Sequence, residues 1–149
     1  LCSGIDGFVA TGALQHVPFF KLFEVEGNFL EGEFVKALSV QQEANEIMLR
    51  TEQRFYEPEI HRWKGKILDV MGRKDEAEKA FVVACAVAKS QDSRSWQLRA
   101  TISLADLYRR IGRNPEGRET LQRVYDTFDE GFDLPDLVEA RSLLDSLVD

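Results

Sequence analysis

Cysteine, proline, histidine and long apolar runs are all scarce in this chain. Two cysteines, Cys2 and Cys85, are too few for a disulfide framework, so a reducing compartment is expected. Four prolines and ten glycines in 149 residues exclude collagen-like and low-complexity classes. No apolar run approaches the roughly 18 residues of a membrane span, so no transmembrane helix and no membrane partner are expected. His16 and His61 stand far apart and neither belongs to an H-E-x-x-H motif, so no metal site is expected. Leu1 opens the chain without a basic and apolar leader; the expectation is a cytoplasmic protein, and a piece of something longer.

What is present is ordinary in amount. Apolar residues make up 44% and charged residues 30%, which suits one domain with its own core and excludes disorder. The net charge of −7 argues against nucleic acid as a partner. Its distribution is uneven. Residues 1–61 sum to −6, residues 62–123 to +6 and residues 124–149 to −7. The chain is acidic, then basic, then acidic.

The chain also repeats itself at an offset of 40. Gly32, Gly72 and Gly112 fall in register, followed by Ala37, Ala77 and Gly117, then Ala44, Ala84 and Val124. Each unit reads as two helices around a glycine turn. In the second unit, Ile60, Trp63, Ile67, Leu68 and Met71 form one helical stripe, and Ala77, Ala80, Phe81, Ala84, Cys85 and Ala88 form the other. In the third, Leu98, Ile102, Leu104, Ala105, Tyr108 and Ile111 precede Gly112, and Leu121, Val124, Tyr125 and Phe128 follow it. Asn114 is the expected N-cap and Pro115 the first helical residue there. Trp63, Trp96 and Tyr108 read as core. No strand is predicted. The expected organisation is one all-α domain over 1–149: a poorly patterned lead-in over 1–17, helix pairs over 18–51, 55–91 and 93–129, and a capping helix over 134–148.

This spacing resembles the tetratricopeptide repeat, through Gly65, Leu68, Ala77, Phe81 and Ala84, and again through Ala105, Tyr108, Gly117, Leu121 and Val124. His61 and Thr101 stand where that repeat usually has an aromatic residue, and the period is 40 instead of 34. A narrower likeness covers 56–149. Glu59 to Gly65 (EIHRWKG), Ser95 to Ala100 (SWQLRA), and Glu130 to Leu137 (EGFDLPDL) with the run that follows resemble the C-terminal repeats of large bacterial signalling proteins. Those proteins join a class III adenylate or guanylate cyclase, or a DNA-binding transcriptional activator, to an ATPase module and then to such repeats. The resemblance implies an α-α superhelix of three antiparallel helix pairs with a C-terminal capping helix, serving as a regulatory scaffold. It implies no cyclase or ATPase activity for this stretch.

Chemistry-bearing motifs are few. Gly4, Gly7 and Gly12 lack the Lys-Ser or Lys-Thr and the preceding strand of a phosphate-binding loop. Cys85 lies on an apolar stripe with no histidine near it in sequence, which reads as packing. No acid–base or nucleophile constellation emerges, so neither enzymatic activity nor a cofactor is expected. The remaining candidate is a surface. With Gly65 at the small-residue position, the inner face carries Glu59, Arg62, Lys66 and Asp69 from the second unit, and Arg99, Ser103, Asp106, Arg109 and Arg110 from the third. Five basic side chains there predict a groove for an acidic peptide, a C-terminal carboxylate or an acidic protein surface. The plainer reading is salt bridging between neighbouring helices. The first unit would add a greasy wall of Phe19, Leu22, Phe23 and Phe29. Phe8, Phe19, Phe20, Phe23, Phe29 and Phe34 crowd the N-terminal quarter, so self-association through an apolar N-terminal edge is expected. Besides partner capture, sensing of a small acidic effector and oligomerisation stay open as functions.

Overall fold

A computed structural model describes residues 17–148. The lead-in, with Cys2, Gly4, Gly7, Phe8, Gly12 and His16, lies outside the described residues. Seven helices and no strand occur among the described residues: α1 (Val17–Leu30), α2 (Phe34–Thr51), α3 (Glu57–Val70), α4 (Lys74–Ser90), α5 (Arg94–Arg110), α6 (Asn114–Tyr125) and α7 (Pro135–Ser146). The protein is all-α. None of these helices is long and apolar enough to cross a membrane.

The glycine register explains the turns. Gly32, Gly72 and Gly112 have φ of 80°, 82° and 81°, the left-handed conformation in which a side chain is disfavoured. Each closes the same double hydrogen bond. The amide of Gly72 donates to the carbonyl of Asp69, and that of Arg73 to Leu68, at 3.0 and 2.9 Å. Gly32 with Glu33, and Gly112 with Arg113, repeat this pattern. It satisfies carbonyls that the helix end leaves without partners, and it reverses the chain within three residues.

The start of α6 differs from expectation. Arg113, not Asn114, occupies the cap position; Asn114 and Pro115 already lie inside the helix. Asn114 therefore makes no cap, and its buried Oδ1 has no hydrogen-bond partner. The same register places Glu33 and Arg73 before α2 and α4, so the glycine turn fixes the entry and a capping side chain does not.

Consecutive helices pack as antiparallel pairs, α1 with α2, α3 with α4 and α5 with α6. The first helices also pack on each other, α1 on α3, α3 on α5, and α5 on α7. This gives an inner row of α1, α3, α5 and α7, backed by α2, α4 and α6. Small residues let the rows approach. A Cβ on Gly65 would meet the Phe81 ring at 2.5 Å, and one on Gly117 would meet the Ala105 carbonyl oxygen at 3.1 Å. Ala77, Ala84 and Ala105 are fully buried, as are Leu121, Leu68 and Phe81 to within 1%. Gly27 and Asn28 do not interrupt α1, because the Asn28 amide turns back and donates to the Glu24 carbonyl at 2.9 Å.

Candidate functional site

The inner row encloses an open groove of about 430 Å³. Its apolar wall comes from α1, where Phe19, Leu22, Phe23 and Glu26 share one face at helical spacing. Tyr56 enters from the link before α3, and Trp96 from the first turn of α5. Ring contacts join these groups into one run. Phe23 meets Phe19 at 4.8 Å between centroids, Phe19 meets Tyr56 at 5.1 Å, Tyr56 meets Phe55 at 4.9 Å, and Phe55 reaches Trp96 at 6.1 Å. Phe23 and Phe55 remain 49% and 64% exposed, so the described residues leave this run partly uncovered. Trp96 was expected in the core with Trp63 and Tyr108. Those two are buried, whereas Trp96 is half-buried at the groove because α5 starts there and only its next turn is enclosed.

The floor is charged. Glu59, in the first turn of α3, is 4% exposed. It accepts a hydrogen bond from Nε of Arg62 at 2.7 Å and forms an ion pair with Nη1 of Arg99, also at 2.7 Å. Arg62 further reaches the Ser103 hydroxyl at 3.5 Å. Lys66 is different. Its ammonium lies 4.1 Å from the centroid of Trp63 and 5.5 Å from that of Phe29, and no carboxylate among the described residues lies within ion-pair distance. Burial, then repulsion from Arg62, pulls its pKa below the ordinary lysine value.

The groove continues past Arg62, Lys66 and Ser103 to Asp69, Asp106 and Arg110. There the charges are mutually engaged. Arg110 bonds both Asp69 and Asp106, the latter at 3.0 Å; Lys74 bonds Asp69; and Arg109 bonds Asp106 at 2.7 Å. Burial alone would raise the Asp69 carboxyl. The hydrogen bonds from Arg110 and Lys74 outweigh it and hold that carboxyl below its ordinary range. Arg109 itself faces a separate depression between α5 and α7.

Two findings correct the sequence expectation. First, Arg62, Arg99, Arg109 and Arg110 all carry intramolecular carboxylate partners: Arg99–Glu59 and Arg110–Asp69 join neighbouring helices, whereas Arg62–Glu59 and Arg109–Asp106 lie within one helix. Second, the groove is not basic. Arg62, Lys66 and Arg99 are opposed by Glu26, Glu59, Asp136 and Glu139. The helix expected only to cap the domain lays its acidic face on the groove. Asp136 approaches Arg99 at 3.9 Å, and Leu137, Ala140 and Leu144 anchor the opposite face in the core.

Elsewhere, Cys85 is half-buried with its sulfur 3.5 Å from the Thr101 hydroxyl, and burial pushes the thiol pKa up. Among the described residues no three His, Cys, Asp or Glu side chains converge to hold a metal ion. Compared with known proteins, the chain matches no family model and no curated protein sequence.

Proposed function

We propose that this is a tetratricopeptide-like interaction domain of a multidomain bacterial signalling protein, which captures a segment of a partner protein in its groove and performs no chemistry of its own. The observation that carries this reading is the partly uncovered aromatic run from Phe23 through Phe19, Tyr56 and Phe55 to Trp96. It flanks a groove to which three successive helical hairpins and α7 contribute. Aromatic rings present large, rigid contact area at low entropic cost, and they dominate the energetics of interfaces. The intramolecularly paired floor fixes the groove's shape before any partner arrives, which lowers the cost of binding. The helical pairs, the glycine turns and the Gly65–Phe81 contact support the repeat assignment.

Both tryptophans of the chain, Trp63 and Trp96, line the groove, so intrinsic fluorescence reports on it directly. Titration with short tryptophan-free peptides that carry a central apolar pair is expected to shift the emission saturably. Phe23→Ala combined with Phe55→Ala should weaken that binding at least about tenfold, with the circular dichroism unchanged because both side chains are largely exposed. No saturable shift with any peptide would overturn the reading. Sensing of a small effector is the second reading, favoured by a volume within the range of small-molecule sites. Saturation by a small carboxylic acid, without peptide binding, would select it.

A further inference from the structure

The charges at the groove that find no close partner among the described residues specify who enters it. Glu26 projects from α1 and Glu139 from α7, the two outermost helices of the inner row. Both are exposed, and neither has a cation within ion-pair distance among the described residues. Asp136 is half-buried, and its nearest cation, Arg99, is at 3.9 Å and already bound to Glu59. Against these stands Lys66, whose ammonium rests on the Trp63 and Phe29 rings below the mouth. The lips are therefore acidic, and the aromatic run flanks the same groove.

Resting on the reading of this groove as a peptide-binding site, we infer that its occupant is a basic segment: an apolar or aromatic anchor flanked by lysine or arginine. Charge complementarity carries this. A cationic flank gains attraction from Glu26, Asp136 and Glu139, and its side chains stack favourably on Phe19, Phe23, Tyr56 and Trp96. An acidic flank meets three carboxylates and gains one ammonium. Arg62 and Arg99 offer it little, because Glu59 holds both. Lys66 has a role with a basic occupant too, since its amine donates to backbone carbonyl oxygens of a segment crossing it. The partner chemistry expected from the sequence is thus reversed once the intramolecular pairs are counted.

The test uses three sets of tryptophan-free peptides with the same apolar centres and flanks of lysine, serine or glutamate, titrated by tryptophan fluorescence at low and at high salt. The lysine set is expected to bind about tenfold more tightly than the glutamate set, and the gap should shrink as salt screens exposed charges. Glu26→Gln combined with Glu139→Gln should close most of the gap between the lysine and glutamate sets. Equal or tighter binding of the glutamate set overturns the inference while leaving the groove reading intact. Binding by none of the three sets overturns both. A lysine preference that survives the double substitution and high salt also overturns it, since the lips would then not be the cause.

Discussion

Asp69 is the residue on which three helices converge. It lies near the end of α3, and its carboxylate holds Lys74 at the start of α4 and Arg110 at the end of α5. Its carboxyl is held below the ordinary value near 3.8, so in acid the folded state binds fewer protons than the unfolded chain. The stability it contributes is therefore complete above the ordinary carboxylate range and is lost as pH falls from there toward the folded value. Asp69→Asn should lower stability at neutral pH by about 1 kcal/mol, a small figure because Lys74 and Arg110 are part-exposed and water screens them. Urea midpoints followed across pH should fall less steeply below about pH 4 in the variant than in the wild type. Identical slopes would remove Asp69 from the acid response. The sequence showed Asp69 only as one charge on an inner face. Its two partners, five and 41 residues away, depend on how α3, α4 and α5 pack, which residue spacing along one helix does not encode.

At the scale of elements, the turns were the most legible feature, because left-handed backbone conformation is a local demand that glycine answers locally. The links between hairpins make the same demand without glycine. Glu52 and Asp92 sit at φ of 57° and 54°, and Asp92 with Ser93 closes the same pair of hydrogen bonds as Gly72 with Arg73. A side chain in this conformation costs about 1 kcal/mol, less for Asp than for Glu. Glu52→Gly and Asp92→Gly are thus expected to stabilise the protein, by about 0.5–1 kcal/mol and somewhat less respectively, whereas Gly112→Ala destabilises it by about 1 kcal/mol. Thermal melts of the three variants read the opposite signs directly; a loss of stability in Glu52→Gly would contradict the assignment. What the elements hid was orientation. Of the first-helix residues, Glu59, Arg62, Lys66, Arg99 and Ser103 line the groove, Asp69, Asp106 and Arg110 its continuation and Arg109 a separate depression, while α7, expected as a cap, also reaches the groove. Its amphipathic pattern specifies a buried face, and only packing against α5 and α6 decides that its acidic face meets the groove.

For the whole molecule, the apolar content is unevenly spent. The first hairpin leaves Leu30 and Val35 77% and 75% exposed on either side of the Gly32 turn, with Leu49 and Phe23 each 49% exposed on its helices. At the equivalent positions the later hairpins carry Val70 and Asp75, then Arg110 and Pro115, so the first hairpin alone is apolar on both sides of its turn; and α3 packs on α1 and α5, whereas α1 has α3 alone among the described residues of the inner row. An outer apolar surface of this kind associates with a like surface when nothing else covers it. Concentration-dependent self-association is the expected outcome, and it separates from groove binding by its response to salt. Apolar contact is not weakened by screening, whereas the acidic lips lose selectivity. Leu30→Glu with Val35→Lys should shift sedimentation toward monomer without altering tryptophan emission, since neither position lines the groove. A wild-type chain that sediments as a monomer at high concentration would show that this surface is tolerated uncovered, and association that survives the double substitution would place the contact elsewhere on the molecule.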